Sequence, residues 1–332
     1  MPQPSVPVMR RLLDMNFNLY YCRYALDKDR LCMRFDSSIK SANPNKLYYG
    51  LRELATKADK MDDLLVQEFA SLQTIDTEHV IEIPAAEKEV KYNFLQQSVK
   101  ETLDYIASLD AEKFSGAIAY LLLTLAFRID YLICPEGKLL SELEKIVEVY
   151  YKKDEKQTIE RNRGMIEGYT KLLERTKEEV FPWLFRSRHT FAIVTPQHHK
   201  TIADSITGSH QNVPWYRDNQ YPIIANKVVE YGFSFCQYSY SLPKPLTELF
   251  RLYMQVNYGH YFAALGFGDS YYNASTNKFD AEDIKERINE IINEWRAKYP
   301  KMTFMTDQLR FDDLLQFNIS FTFEITLMNF DA

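Results

Sequence analysis

The alternation of apolar and polar residues predicts a β-hairpin near the start of the chain. Apolar residues alternate with polar ones along 17–22 and again along 31–36, which is the period of a half-buried strand. A polar turn lies between the two runs, so we expect them to pair in antiparallel fashion. Asn43 and Pro44 then open a helix whose leucines recur every three or four positions. A short third strand is expected at 80–83.

The middle of the chain has the pattern of a helical bundle. The stretch 114–133 is apolar nearly all round, which predicts a helix at the centre of that bundle. Its apolar run 117–127, broken only by Thr124, is shorter than the ~20 residues that span a bilayer. We therefore predict no association with membranes.

The last third of the chain is rich in aromatic residues and mixed in pattern. The predicted elements are strands at 190–194 and 233–240, a loop over 195–220, and helices over 223–231, over 246–256 and after Asp280. At the end of the chain, Phe317, Phe321 and Ile325 alternate with polar residues that include Asn318 and Glu324. This period of two predicts a final strand.

The predicted fold class is α+β, with three units. These are an N-terminal ββα unit over 1–83, a central helical bundle over 84–182, and a C-terminal mixed α/β unit over 183–332 that ends in a strand. A chain of 332 residues has the length of two or three compact units.

Composition and charge exclude several classes of function. The formal net charge is −6, and each of the three predicted units carries a small negative charge, so we expect no nucleic-acid partner. The chain has only 10 glycines. The Gly266-Phe267-Gly268 sequence lacks the third glycine of a dinucleotide-binding loop, and no P-loop sequence occurs. We therefore predict no nucleotide cofactor, and no other cofactor is indicated.

Four cysteines are too few for a disulfide scaffold in a chain of this length, and no CxxC pair occurs. They are Cys22, Cys32, Cys134 and Cys236. The N-terminal residues have no apolar segment typical of a secretory signal. We therefore expect free thiols and a cytoplasmic protein.

Three histidines and an aspartate are candidate ligands of a metal ion, but they form no recognised metal-binding motif. His198, His199 and His210 cluster in polar sequence around Asp204, but no helical pair or HExxH sequence supports a zinc site. Exposed histidines in a loop are the favoured interpretation, and no metal is predicted.

Two further combinations of residues could support catalysis. Cys236 and His260 could meet only through tertiary folding. Asp59, Asp62 and Asp63 share part of one helix face, where interleaved lysines favour a solvated surface. No catalytic residue is assigned, and the sequence leans against an enzyme.

Aromatic residues are the strongest candidates for binding. Tyr20 and Tyr24 lie in the predicted hairpin, and Trp215, Tyr216 and Arg217 lie in the predicted loop. Tyr, Trp and Arg are enriched in interaction hot spots. The alternative is that these rings fill the core with their hydroxyl groups at its edge. If the odd-numbered face of the first strand is core, the face with Tyr20 and Tyr24 is free for a partner.

One region of the chain resembles a known class of small domains. It is carried by LYYCRYALDKDRLCMRF, which starts at Leu19, and NPNKLYYGLRELATKADKMDDLL, which starts at Asn43. A strand, a charged turn, a second strand and a long helix in this order resemble the type III secretion chaperone-like class, including YbjN-type domains. The resemblance covers roughly 50 residues and implies a non-catalytic, dimeric chaperone or adaptor that holds extended partner segments. It transfers no individual binding residue.

The sequence therefore favours a cytoplasmic protein-interaction or chaperone-like adaptor, with a protein partner or self-association. The alternative is an enzyme or small-molecule-binding protein with a site between the central and C-terminal units, near His198, His210 and Trp215. A deep pocket with perturbed titrating groups would favour the alternative, and an exposed strand edge would favour the adaptor.

Overall fold

The computed structural model describes residues 6–75, 77–188, 195–268 and 270–331. Helices make up most of this structure, and the strands form small two-stranded sheets. The α-helices are α1 Val6–Asn16, α2 Pro44–Glu68, α3 Ala85–Ala107, α4 Ser115–Ile133, α5 Gly137–Tyr151, α6 Thr158–Leu173, α7 Lys177–Val180, α8 His199–His210, α9 Val213–Asp218, α10 Pro222–Ser239, α11 Lys244–Asn257, α12 Gly259–Ala264, α13 Ala281–Trp295 and α14 Leu314–Leu327. The strands are β1 Cys22–Asp27, β2 Arg30–Phe35, β3 Val80–Glu82, β4 Phe185–Ser187, β5 Thr195–Pro196, β6 Tyr240–Ser241, β7 Tyr272–Asn273 and β8 Lys278–Phe279. A mostly helical α+β fold is thus confirmed.

The described chain divides into two compact units. Unit 1 takes its residues from Met1–Ile83, Glu136–Ser141 and Phe185–Ile193. Unit 2 takes its residues from Pro84–Pro135, Glu142–Leu184 and Val194–Ala332.

The predicted hairpin and long helix of unit 1 are confirmed. Strands β1 and β2 pair in antiparallel fashion, and Asp27 faces Arg30 across the two-residue turn. Helix α2 begins after Asn43, whose side chain accepts a hydrogen bond from the Lys46 N–H. The predicted third strand is β3, and it pairs with β4 in a sheet of its own. The first strand begins five residues later than the alternation suggests, and Phe17 is 91% exposed.

One face of the hairpin contributes to the small core of unit 1. Val8 and Leu12 of α1, Tyr24 of β1 and Leu65 of α2 are its buried members. Tyr24 stands opposite Met33 in the ladder, so the two side chains share that face. Leu31 and Met33 pack against the same core.

Helix α4 is the buried centre of unit 2, as its composition predicts. It packs against α3, α6 and α10. It is also the one helix in the described chain whose length and apolar composition would suit a membrane span, and 78% of its most apolar window is buried inside the protein. Polar side chains from neighbouring helices reach its carbonyl oxygens. Tyr169 donates to Leu122 at 2.7 Å, and Lys91 donates to Ile133 at 2.9 Å. The latter bond satisfies a carbonyl at the helix end.

Two predictions for the middle of unit 2 are wrong. The stretch 195–220, predicted as a loop, contains α8 and α9, and Ile202 and Ile206 of α8 are fully buried. The stretch 233–240, predicted as a strand, is helical as far as Ser239, the last residue of α10. Gly232 explains the close approach of these helices, because a Cβ there would lie 2.3 Å from the Ser209 Oγ of α8. The strand predicted at 190–194 lies outside the described residues.

The predicted C-terminal strand is also wrong, because those residues form α14. The Asp313 side chain accepts a hydrogen bond from the Gln316 N–H and caps the helix. A strand would place Asn318, Thr322 and Glu324 in solvent, but all three are buried. A helix can bury both the aromatic and the polar set, since neighbours surround it on most sides.

The polar residues of α14 keep their hydrogen bonds inside the protein. The Asn318 amide meets those of Asn226 and Asn257, and Glu324 accepts from the Met305 N–H at 3.0 Å. Buried polar groups cost little when they are paired in this way. Tertiary partners therefore outweigh the local strand pattern of the sequence.

A matched pair of variants tests the helix. A strand would put Phe321 and Phe323 on one face, whereas α14 buries Phe321 completely and leaves Phe323 52% exposed. We expect Phe321→Ala to lower the free energy of unfolding by about 3–5 kcal/mol. Phe323→Ala should change it by less than about 0.5 kcal/mol. Denaturant unfolding measures both, and equal losses would contradict the helix.

Candidate functional site

The structure separates the two tyrosines that the sequence places on one binding surface. Tyr20 is 91% exposed, but Tyr24 is buried in the core of unit 1. The prediction that the even-numbered face of the hairpin is free is therefore wrong. Cys22 and Tyr24 point into the core, and Arg23 lies on the exposed face. The loss of solvent around the Tyr24 ring raises the pKa of its hydroxyl to about 12.

The second predicted cluster lies on the short helix α9 of unit 2. Trp215 is half exposed and stacks on Tyr221 with ring centroids 6.2 Å apart. Tyr216 meets the Trp215 ring edge-on, and Arg217 pairs with the adjacent Asp218 at 2.9 Å. These residues form a local aromatic cluster whose charged member is already paired.

The histidines of this region mostly serve the packing of α14. His199 bonds to the Ile325 carbonyl at 2.8 Å, and His210 bonds to the Thr322 hydroxyl at 2.9 Å. Burial lowers the pKa of His210 to about 4, so it is neutral at neutral pH. His198 is exposed at the start of α8. Within the described residues, no group of three metal-ligating side chains is found.

The remaining candidates do not assemble into a catalytic site. Cys236 is buried with its thiol towards the Ile202 carbonyl, and burial raises its pKa to about 12. His260 is exposed and lies beside the Phe94 ring. On α2, burial and the neighbouring Asp62 raise the pKa of Asp63 to about 6.

The outer edge of β1 is occupied by side chains of unit 1. Glu53 of α2 accepts hydrogen bonds from the backbone N–H groups of Tyr20, Tyr21 and Cys22 at 2.7–2.8 Å. Asn16 takes both backbone groups of Tyr24, accepting from its N–H at 2.7 Å and donating to its carbonyl at 3.3 Å. This edge therefore has few free groups to pair with another strand.

On its outer edge, β2 pairs with no other strand of the described chain. Residues of an antiparallel pair alternate between bonding to the partner strand and pointing away from it. Because Cys22 and Tyr24 turn their N–H groups outward, their ladder partners Phe35 and Met33 do the same, as does Leu31. These three N–H groups have no partner in the described chain.

The two faces of this open edge differ in chemistry. Leu31 and Met33 lie on the core side, and Phe35 packs its ring over Gly50 of α2. The opposite face carries Arg30 and Arg34, both exposed. We call the outward backbone groups of Leu31, Met33 and Phe35, with these flanking arginines, the β2 edge.

Exposed aromatic residues lie at one end of the hairpin. Tyr21, just before β1, stacks on Tyr49 with ring centroids 6.5 Å apart, and Tyr48 meets Tyr49 edge-on at 5.2 Å. All three rings are more than one-third exposed. Glu53 fixes the backbone before β1, so this aromatic surface is held in place without being buried.

A second feature of interest is a buried group of charges in unit 2, which we call the Arg128 cluster. It consists of Arg128 on α4, Lys227 and Glu230 on α10, and Tyr258 directly after α11. Arg128 Nε lies 2.9 Å from Glu230 Oε1, and Lys227 Nζ lies 2.7 Å from Glu230 Oε2. The Tyr258 hydroxyl donates to Oε2 at 2.6 Å and accepts from Lys227 at 2.6 Å.

The cluster shifts the pKa values of its members strongly. Burial alone would raise the pKa of Glu230, but Arg128 and Lys227 outweigh it and lower that pKa to about 2. Burial and then the Arg128 charge lower the pKa of Lys227 to about 8, although Glu230 opposes the shift. Glu230 is therefore ionised at neutral pH, and its two oxygens are shared between two cations.

Comparisons with known proteins give no further guide to the site, since no family model, curated protein or solved structure matches the chain. Sequence analysis did not identify which edge of the hairpin is open, and it missed the Arg128 cluster. The spacing of Lys227 and Glu230 was a usable signal for the cluster, because side chains three positions apart on a helix are neighbours. For the edge, no signal indicated that Glu53 and Asn16 would bond to β1.

Amide hydrogen exchange tests the β2 edge directly. We expect the amides of Cys32 and Arg34, which point towards β1, to exchange at least tenfold more slowly than those of Leu31, Met33 and Phe35. Residue-resolved exchange by NMR measures the five rates. Uniform protection along β2 would show that its outer edge is covered, and would contradict the assignment.

Charge removal at Glu53 tests how the other edge is held. Three backbone N–H groups lower the pKa of Glu53 below its ordinary value despite partial burial. The stability that this carboxylate contributes is therefore present above its ordinary pKa and lost as the pH falls through the lowered value. We expect Glu53→Gln to destabilise the hairpin by about 1 kcal/mol at pH 7 and by less near pH 3.

Hydrogen-exchange mass spectrometry of peptides covering 19–35 reports this change locally. The control is Asp36→Asn, because the ion pair of Asp36 with Arg23 is exposed and should matter little. Equal effects of the two substitutions would argue against a special role for Glu53.

Proposed function

We propose that this protein is a cytoplasmic, protein-binding adaptor that captures an extended segment of another protein on the β2 edge. The observation that carries the proposal is the row of outward N–H groups at Leu31, Met33 and Phe35, which have no partner among the described residues. An exposed strand edge can bind an added strand through backbone hydrogen bonds. A two-stranded hairpin is also only marginally stable and gains from a third strand.

The side chains around the edge specify what kind of segment fits. An added strand alternates its side chains between the two faces of the hairpin. One set continues the apolar layer of Leu31 and Met33, and the other lies beside Arg30 and Arg34. We therefore infer a partner segment in which apolar residues alternate with acidic ones.

Two further observations support an adaptor. The exposed rings of Tyr21, Tyr48 and Tyr49 offer aromatic surface close to the hairpin, and such rings are enriched where proteins meet. The resemblance of the hairpin and α2 to chaperone-like domains implies binding of extended segments. None of the four cysteines forms a disulfide in the described chain, which suits a reducing compartment.

A phage-displayed library of random decapeptides tests the proposal on the full chain. We expect selection to enrich peptides with alternating apolar and acidic residues. Synthetic copies of them should slow amide exchange at Leu31, Met33 and Phe35 at least tenfold. Met33→Pro removes one outward N–H without removing a bond to β1, so it should weaken peptide binding at least tenfold.

Charge variants provide the control, and they also cover the case in which Met33→Pro impairs folding. Arg30→Glu with Arg34→Glu should lose the acidic peptides, whereas Arg10→Glu with Lys40→Glu, exposed elsewhere in unit 1, should keep them. Peptides that bind without protecting the β2 amides would refute the site. Concentration-dependent dimerisation that Met33→Pro abolishes would replace the foreign segment with a second copy of the chain.

A further inference from the structure

In the Arg128 cluster, two cationic side chains bond to a single carboxylate. Arg128 and Lys227 are both cationic when protonated, and Glu230 is the one carboxylate bonded to either of them in the described chain. Arg128 and Glu230 are at least 94% buried at their side chains. An unbalanced charge in such surroundings is costly, so the second cation of the cluster loses its proton more easily than it would in water.

Lys227 is the group that can restore the balance. Arginine stays protonated in proteins, and the loss of solvent raises the pKa of the Tyr258 hydroxyl well above its ordinary value. When Lys227 releases one proton, the Arg128–Glu230 pair remains neutral as a whole. The neutral amine can still donate to Glu230 and Tyr258.

Lys227 is partly exposed at its side chain, and its amine is held between the buried Glu230 and Tyr258. Its side chain is 25% exposed, whereas that of its partner Glu230 is 1% exposed. Two of the three ammonium N–H groups are used, by Glu230 and Tyr258, and the third has no partner in the described chain. A lysine beside another cation in a partly desolvated site has the setting of a nucleophilic amine.

We propose that Lys227 is a nucleophilic amine site that takes small aldehydes or ketones as a reversible imine. The neutral amine adds to the carbonyl carbon, forming the C–N bond. One nitrogen proton passes to the former carbonyl oxygen, and the resulting carbinolamine loses one water to leave the C=N bond. The reaction needs no oxidant or reductant.

Charge balance also distinguishes this ligand class from carbon dioxide. A neutral imine keeps the sum of charges in the cluster at zero. A carbamate on Lys227 would instead place a second anion beside Glu230 and leave the cluster with an excess negative charge. The cluster therefore suits a carbonyl compound better than carbon dioxide.

Every charged group that faces Lys227 bears on its titration. Arg128 on α4 favours the neutral amine. Glu230 on the same helix and Glu101 on α3 favour the protonated form. Tyr258 is uncharged and bonds to Lys227 in either form. Substitutions of Arg128 and Glu101 are thus expected to shift the titration in opposite directions.

Reductive ethylation of the full chain with acetaldehyde and cyanoborohydride tests the site. Peptide mass spectrometry follows the extent of labelling from pH 6 to 10.5. We expect the labelling of Lys227 to reach its half-maximum near pH 8, whereas exposed Lys28 and Lys153 follow ordinary lysines with a pKa of about 10.4. At pH 7.5 the initial labelling rate of Lys227 should exceed that of these two lysines at least tenfold.

Variants separate the proposed cause from chance reactivity. Arg128→Met should raise the half-maximum of Lys227 by at least one pH unit. Glu101→Gln changes an exposed residue, so it should fold normally and lower the half-maximum; it keeps the test valid if Arg128→Met does not fold. Three results would overturn the proposal. They are a half-maximum near pH 10, no label on Lys227, and a half-maximum that neither Glu101→Gln nor a folded Arg128→Met shifts.

Discussion

The ion pair between Arg128 and Glu230 is the interaction on which the packing of unit 2 depends. Helix α4 is the most apolar helix of the chain, and its single arginine sits where α10 crosses it. A lone cation could not be buried there. Glu230 makes the burial possible, and removal of either partner from a buried pair typically costs about 3–5 kcal/mol. The register of α4 against α10 is therefore fixed by charge as well as by shape.

A carboxylate has a comparable structural role in unit 1, although its partners are backbone groups. Glu53 gathers three N–H groups before and at the start of β1, and so determines where the chain turns into the hairpin. These bonds help to occupy the outer edge of β1, whereas the outward groups of β2 have no partner among the described residues. In both units, one carboxylate gathers donors from other parts of the chain: three backbone N–H groups at Glu53, and Arg128 and Tyr258 at Glu230.

Local signals predicted some elements well and others poorly. Helix α2 has its cap, its proline and its leucine repeat within its own sequence, and α13 has regularly spaced isoleucines after Asp280. Helix α14 has the alternation of a strand, and its polar residues find partners only through Asn226, Asn257 and Met305, which are distant in sequence. The predictable elements have their caps and apolar repeats within their own sequence. Elements whose buried polar residues bond to residues distant in the sequence could not be predicted.

The same distinction explains why the candidate sites escaped sequence analysis. Tyr20 and Tyr24 share a strand parity, yet the first precedes the hairpin and the second lies in its core. Residue type identified aromatic surface in general, but it could not tell which rings the fold leaves in solvent. A backbone edge is open when no neighbouring group bonds to it, and a charge is unbalanced when its neighbours carry no compensating charge. Such features are defined only when the positions of all neighbouring residues are known. The chemistry of this protein therefore has to be derived from the residues that the fold brings together.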